Sequence, residues 1–303
     1  MQELDYFIVD VFTDTALAGN PLAVVMDSVE LSTERMQAIA REFNLSETTF
    51  VQRRALAIEQ VEGVRVRIFT TQEELPFAGH PTLGTASILK LHAPETMRGD
   101  TFLLAENVGL VPVRFEERHA GAEGLFGEMT QREPEFGAEL DRAEVARLTG
   151  LDVADLDPVL PPQVVSTGTA FAIVPLRSAE PLARLKVNQD EATAWLRAQG
   201  ARWFYVLGRM LNRNEGDGPH YRARMQFNGG EDPATGSAAG CAISYLAGRG
   251  AVASAERIHL RQGVEMGRPS DLFLSAKLDS GKVSEVRVAG STVLVAKGQL
   301  FLP

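Results

Sequence analysis

The sequence predicts an α+β protein built as two similar halves, and three observations carry that prediction. The chain has 303 residues, so two domains of roughly 150 residues are expected. Short β-rich runs alternate with helical stretches throughout, with no low-complexity segment between them. The third observation is an internal repeat, described below.

Residues 5–12 alternate and are rich in β-formers (Tyr6-Phe7-Ile8-Val9-Asp10-Val11-Phe12), which reads as a strand. A turn at Ala18-Gly19-Asn20-Pro21 leads to a second strand over 22–25. Ser32 or Thr33 caps a helix that runs to Phe43. Strands follow at 48–52 and 64–69, then a helix after Pro81 through Ala86, Ile88 and Leu89, then strands at 101–104 and 109–115. The polar, glycine-containing stretch 116–124 suits a linker. The expected division is 1–118 and 119–287, with the closing strand 288–303 free to return to the first half.

The repeat sets His80-Pro81-Thr82-Leu83-Gly84-Thr85-Ala86 against Asp232-Pro233-Ala234-Thr235-Gly236-Ser237-Ala238, 152 residues apart. Gly19-Asn20-Pro21-Leu22-Ala23-Val24-Val25 matches Gly168-Thr169-Ala170-Phe171-Ala172-Ile173-Val174 at a shift of 149. The helix and strand ending at Phe50-Val51 have a counterpart ending Trp203-Phe204-Tyr205-Val206-Leu207. Matches in one order at nearly one shift read as duplication of a unit of ~150 residues, not as a short-period solenoid.

Composition narrows the function. Lys plus Arg number 30 against 40 Asp plus Glu, a net charge of −10, which argues against nucleic acid or an anionic membrane as a general partner. A small anionic substrate in a locally positive pocket stays compatible. The single cysteine, Cys241, allows no intrachain disulfide. The acidic start and the lack of a long apolar run set the expectation of a cytoplasmic protein without membrane spans. The histidines (His80, His92, His119, His220, His259) show no ligand spacing, so no metal site is expected.

Each copy of the repeat joins a proline to a glycine and small residues ahead of an apolar helix. Helix-start N–H groups carry positive partial charge and accept carboxylates, and two such starts facing one cleft would suit an anionic substrate. Asp232 before Pro233 is also an ordinary N-cap pattern. The duplication favours the functional reading, because the copies differ at the ionisable position: His80 against Asp232. Glu47, in Asn44-Leu45-Ser46-Glu47-Thr48, stands at a helix-to-strand corner, where a solvated turn glutamate is the ordinary reading. Its counterpart falls near Ala201-Arg202.

Phe77-Ala78-Gly79-His80-Pro81-Thr82 and Gly230-Glu231-Asp232-Pro233-Ala234-Thr235-Gly236-Ser237-Ala238 resemble the two signature segments of the PhzF-like family of phenazine biosynthesis. The segments Asn44 to Thr48, Val165-Ser166-Thr167-Gly168, Gln262-Gly263-Val264-Glu265-Met266-Gly267-Arg268-Pro269-Ser270 and Val286-Arg287-Val288-Ala289-Gly290 are similar to other parts of it. The resemblance spans essentially the whole chain and is most specific over Asp232 to Ser237. It implies a diaminopimelate epimerase-like fold: two lobes, each a curved, mostly antiparallel sheet around a central helix, with the site between them. It also implies a cofactor-independent isomerase in which Glu47 moves a proton within a small unsaturated or cyclic carboxylate. His80 and Asp232 are then the other catalytic groups, and Gly79, Gly236 and Ser237 contact substrate. Arg268 is a further candidate for the substrate carboxylate, a structural turn being the alternative. Family members tend to be homodimers. A two-cysteine epimerase is excluded, since Cys241 has no partner thiol. A non-catalytic small-molecule binder on the same fold is the competing reading, and Glu47→Gln separates the two.

Overall fold

A computed structural model of the chain describes residues 2–116, 124–210, 220–227 and 229–302. The chain divides into two compact units, Met1–Thr130 with Ala289–Pro303, and Gln131–Val288. The first contains β1 (Gln2–Val11), β2 (Asn20–Val25), α1 (Thr33–Phe43), β3 (Glu47–Gln52), α2 (Leu56–Glu62), β4 (Val64–Phe69), β5 (Glu74–Leu75), α3 (Gly79–His92), β6 (Thr101–Glu106), β7 (Gly109–Phe115) and β8 (Leu125–Thr130). The second contains β9 (Glu135–Glu139), α4 (Arg142–Thr149), β10 (Gln163–Ser166), β11 (Ala170–Leu176), α5 (Gln189–Ala198), β12 (Trp203–Arg209), β13 (His220–Phe227), β14 (Gly230–Asp232), α6 (Gly236–Gly248), β15 (Ile258–Gln262) and β16 (Ser270–Asp279). The last strand, β17 (Lys282–Leu302), gives 282–288 to the second unit and 289–302 to the first.

Local chemistry accounts for the elements that place the functional groups. Ser32 caps α1 by accepting from the Arg35 N–H at 3.3 Å, and Asn44 ends the helix in the left-handed region at φ 52°. Asn tolerates that conformation, so the chain reverses there and enters β3 on Glu47. α3 is buried from Gly79 to Leu89, and a helix covered all round belongs inside its unit. A Cβ on Gly84 would lie 2.6 Å from Leu22 Cδ2 and 2.8 Å from Val11 Cγ2. Only glycine lets the helix approach β1 and β2 so closely. α1 covers a separate layer built on Met36, Ile39, Phe50 and Phe69.

The two units repeat one order of strand pairing. In the first, β1–β2 is antiparallel, β2–β3 parallel, β3–β4 and β4–β5 antiparallel, β4–β6 parallel and β6–β7 antiparallel. In the second, β10 to β16 reproduce that series step for step. The division falls after Thr130, because β8 pairs with β7 inside the first unit. The stretch 116–124 read as a linker lies, at 117–123, outside the described residues.

The pairing registers correct the alignment of the repeat. Glu74 lies opposite Phe69, and Glu231 lies opposite Gln226. Arg67 grips Glu74 through Nε at 2.8 Å and Nη2 at 2.6 Å; Arg224 grips Glu231 at 2.8 and 2.5 Å. The central helices open on Gly79 and Gly236. Ser87 donates to Leu83 O and Ser244 to Gly240 O, each four residues back. All of these correspond at a shift of 157 residues, which sets His80 against Ser237 and Asp232 against Leu75. His80 and Asp232 are therefore not equivalent positions. Shared prolines and glycines in a seven-residue motif outweigh scattered framework identities in a sequence comparison. Backbone hydrogen bonds have no such ambiguity.

Candidate active site

In the first unit the structure brings Glu47 and His80 together. Glu47 opens β3, which runs parallel to β2 with Leu22 opposite Glu47. His80 is the second residue of α3, with Pro81 third, so the proline stands inside the first turn and not at its first position. His80 Nε2 lies 3.4 Å from Glu47 Oε2; the imidazole side chain is 4% exposed and the carboxylate side chain 16%. On the other side of the ring, His80 Nδ1 lies 3.1 Å from the buried Asn20 amide nitrogen. That nitrogen has only hydrogens to offer, so Nδ1 accepts and the ring proton sits on Nε2, facing Glu47. Burial pushes the His80 pKa down to about 3. The contact is thus a close approach of a neutral imidazole to a carboxylate and not an ion pair, with neither His80 Nε2 nor Glu47 Oε2 in a hydrogen bond among the described residues.

Asn20 carries no role in the sequence reading. Its signal was the repeat itself, which sets Gly19-Asn20-Pro21 against Gly168-Thr169-Ala170. Gly19 has φ +66°, and a Cβ there would lie 2.4 Å from Val11 O, so this turn requires glycine and delivers Asn20 to the ring.

Gly79 is the first residue of α3, and its N-cap, Ala78, makes no side-chain cap. The second unit repeats the arrangement: Gly236 opens α6, and its N-cap Thr235 makes no side-chain cap. Asp232 is not an N-cap. It closes β14, four residues before α6, and accepts from Thr235 Oγ1 at 2.6 Å. Gln262 secures this segment, donating to Asp232 O at 2.7 Å and to Thr235 Oγ1 at 3.0 Å while Tyr205 donates to its Oε1 at 3.0 Å. Gln131 donates to Gly236 O at 2.9 Å and accepts from Thr167 at 2.7 Å. Ser237 is buried in the first turn of α6. Arg268 is half-buried on the segment after β15. Its carbonyl lies 2.3 Å and the Pro233 carbonyl 2.6 Å from where a Gly263 Cβ would stand, so that glycine joins the Arg268 segment to the Asp232-Pro233 turn. Cys241 is buried in α6 beside Thr167 and the Thr169 carbonyl, and burial pushes its thiol up to about 12.

By strand register, the counterpart of Glu47 is Trp203, opposite Phe171 as Glu47 is opposite Leu22. It is not at 201–202. The acid is present in one unit only, and so is its buried imidazole partner.

Two units that repeat this strand order, each with a buried helix, define a protein of the diaminopimelate epimerase-like fold. The fold likeness extends to a hydroxyproline epimerase from Agrobacterium vitis, with a TM-score of 0.63 over 99% of this chain and 91% of that one, at 12% identity. The phenazine biosynthesis-like protein family model matches residues 9–298. A trans-2,3-dihydro-3-hydroxyanthranilate isomerase from Pseudomonas aeruginosa is 36% identical over 300 residues, 98% of this chain and 99% of that protein. The crystal structure of the Bacillus anthracis phenazine biosynthesis protein of the PhzF family has a TM-score of 0.84 and 26% identity, covering all of both chains. The chain belongs to the phenazine biosynthesis-like, or PhzF, family. Among the described residues no helix is long and apolar enough to cross a membrane.

Proposed function

We propose that the protein shifts a proton within a small unsaturated or cyclic carboxylate, with Glu47 as the general acid and base and without a cofactor. The observation that carries this reading is the Glu47–His80 contact. A group that takes a proton from carbon and returns it elsewhere must be reachable by substrate and held at one oxygen. The neutral His80 ring stands 3.4 Å from Oε2 on the buried side, and the carboxylate side chain stays partly exposed, as a group that exchanges protons with substrate must be. An uncharged imidazole stabilises the carboxylate without forming a fixed ion pair. In the reaction, the carboxylate accepts a proton from an sp³ carbon as the double bond migrates. The carboxylic acid then delivers a proton to the far end of the allylic system.

The relative from Pseudomonas aeruginosa, named for an isomerisation of trans-2,3-dihydro-3-hydroxyanthranilate, supports a substrate of this class. The family motifs support Asp232 as a further catalytic group, and Gly79, Gly236, Ser237 and Arg268 as substrate contacts. The side-chain-uncapped starts of α3 and α6 are suited to carboxylate oxygens. Homodimeric assembly and descent from one duplicated unit belong to the same reading. The common order of strand pairing supports the duplication.

The test is solvent deuterium wash-in across cyclic and unsaturated carboxylic acids, beginning with trans-2,3-dihydro-3-hydroxyanthranilate. Exchange by the wild type that vanishes in Glu47→Gln, with ligand binding retained, is the expected result. Exchange untouched by that substitution would remove Glu47 from the mechanism. Binding by both proteins without exchange on any acid would make the protein a binder.

A further inference from the structure

We propose that Glu106 acts as a neutral carboxylic acid which donates to Thr82 and so holds the first turn of α3, and with it His80, in position for Glu47. This makes Glu106 a positioning residue, and its catalytic consequence rests on the function proposed above. Three observations lead to it.

The first is a count of hydrogens. Thr82 Oγ1 lies 2.6 Å from Glu106 Oε1 and 2.7 Å from the Ala78 carbonyl oxygen. A hydroxyl has one hydrogen. If Glu106 were ionised, both neighbours would be acceptors and one of these short contacts would hold no proton. Both are satisfied when the carboxyl donates to Thr82 and Thr82 donates to Ala78. Glu106 is 5% exposed, and its Oε2 has no hydrogen-bond partner among the described residues, a setting that penalises a carboxylate.

The second is the role of the segment. Ala78 is the N-cap of α3 and also accepts from the Thr82 N–H at 3.2 Å. Val108, two residues past Glu106, donates its N–H to Pro76 O at 3.0 Å. The turn between β6 and β7 therefore grips the chain on both sides of Gly79 and His80.

The third comes from the other unit. Arg65 lies opposite Ala105 and Arg222 opposite Arg261. Since Arg65 and Arg222 correspond, the next residues, Glu106 and Gln262, correspond as well. Gln262 also ties down the entry to its unit's central helix, there on the segment before α6, through its amide hydrogens to Asp232 O and Thr235 Oγ1. The second unit thus fills this position with a side chain that is always neutral and always a donor.

The charged groups around Glu106 are consistent with a neutral acid. Arg65 on β4 is committed to Ala105 O and Asn107 Oδ1. Arg67 is paired with Glu74, and Arg54 with Glu62. Burial raises the Glu106 pKa to about 8, against the opposing effects of Thr82 and Arg65. A raised carboxyl pKa means that the folded state holds a proton which the unfolded chain releases near pH 4.3. Folding stability from this group therefore falls as pH rises from about 4.3 to about 8.

The test compares wild type with Glu106→Gln, which keeps the shape and the donor. The ring 15N resonances of His80 are followed from pH 6 to 9.5, together with Tm and, on an exchanging substrate, kcat and KM. In wild type the His80 resonances should move with a midpoint near 8, and kcat should fall with the same midpoint while KM changes little. In Glu106→Gln the resonances and kcat should stay level, and Tm should exceed the wild-type value at pH 9 but not at pH 4.5. His80 resonances level in both proteins, or moving alike in both, would overturn the proposal. So would a Glu106→Gln protein that resembles alkaline wild type already at pH 7. Resonances and Tm that behave as expected in a protein without exchange on any acid would uphold the positioning and sink the isomerase reading instead.

Discussion

In the first unit the strand after α1 opens on Glu47, and in the second the matching strand opens on Trp203. The second residue of the central helix is His80 in one and Ser237 in the other. The end of the following parallel strand is Glu106 in one and Gln262 in the other. Against these differences the frame is unchanged: Arg67–Glu74 and Arg224–Glu231 are the same bidentate pair, and Ser87 and Ser244 make the same bond back along their helices. The units have kept what holds strand to strand and helix to sheet. They have diverged at the start of the matching strand, the second residue of the central helix and the end of the later parallel strand. Glu47, His80 and Glu106 of the first unit stand where the second has Trp203, Ser237 and Gln262, none of which carries an acid or an imidazole.

The comparison can be broken most forcefully at its chemical difference. Glu47→Gln should lower kcat by about 10³-fold, within the range for removal of a general acid or base. Trp203→Phe, at the matching position, should change it less than about threefold. Single-turnover kinetics on any exchanging substrate decides. Comparable losses would mean that the units share the chemistry.

The frame is tested next. Arg224→Met leaves Glu231 with its side chain only 12% exposed, and a buried carboxylate without its partner costs about 3 kcal/mol. Arg67→Met leaves the 22%-exposed Glu74 side chain, where water recovers more of the loss and about 1 kcal/mol is expected. Chemical denaturation of each variant checks both the sign and the order.

Packing at the central helix is tested by Gly84→Ala, whose new methyl would meet Leu22 and Val11. A loss of about 2 kcal/mol is expected. Gly200→Ala provides the contrast, since its loss would come from φ +79° and not from crowding, with nothing within 4 Å of the added Cβ.

A pH dependence separates the histidine from its counterpart. His80 stays neutral down to about pH 3, whereas an unfolded histidine takes up a proton near 6.5. Stability from this group is therefore complete above pH 6.5 and is lost as pH falls toward 3. The Tm of wild type should fall further than that of His80→Asn between pH 7 and 4. Ser237→Ala, at the corresponding position, should track wild type across that range.

Much of this was legible in the residues. Strand period marked β1, β4 and β7, and Ser32 marked the start of α1, because propensity and capping are local properties of the chain. The family motifs marked Glu47, His80, Asp232 and Gly236. Asn20 and Gln262 lie in segments the sequence singled out but carried no role there, and Glu106 and Gln131 were not marked. Each is an ordinary polar residue in sequence, and its importance comes from burial against a partner many residues away.

By itself, the sequence determined that the protein is α+β, that it has two similar halves, that it holds one thiol and that its candidate acid is Glu47. Those properties follow from composition, short-range periodicity and motif identity. Only the tertiary structure decided which residues correspond between the halves, that His80 is a neutral donor held by Asn20, and that Glu106 and Gln262 occupy one position. Hydrogen-bond register and desolvation are set by contacts between distant segments, and no local pattern encodes them.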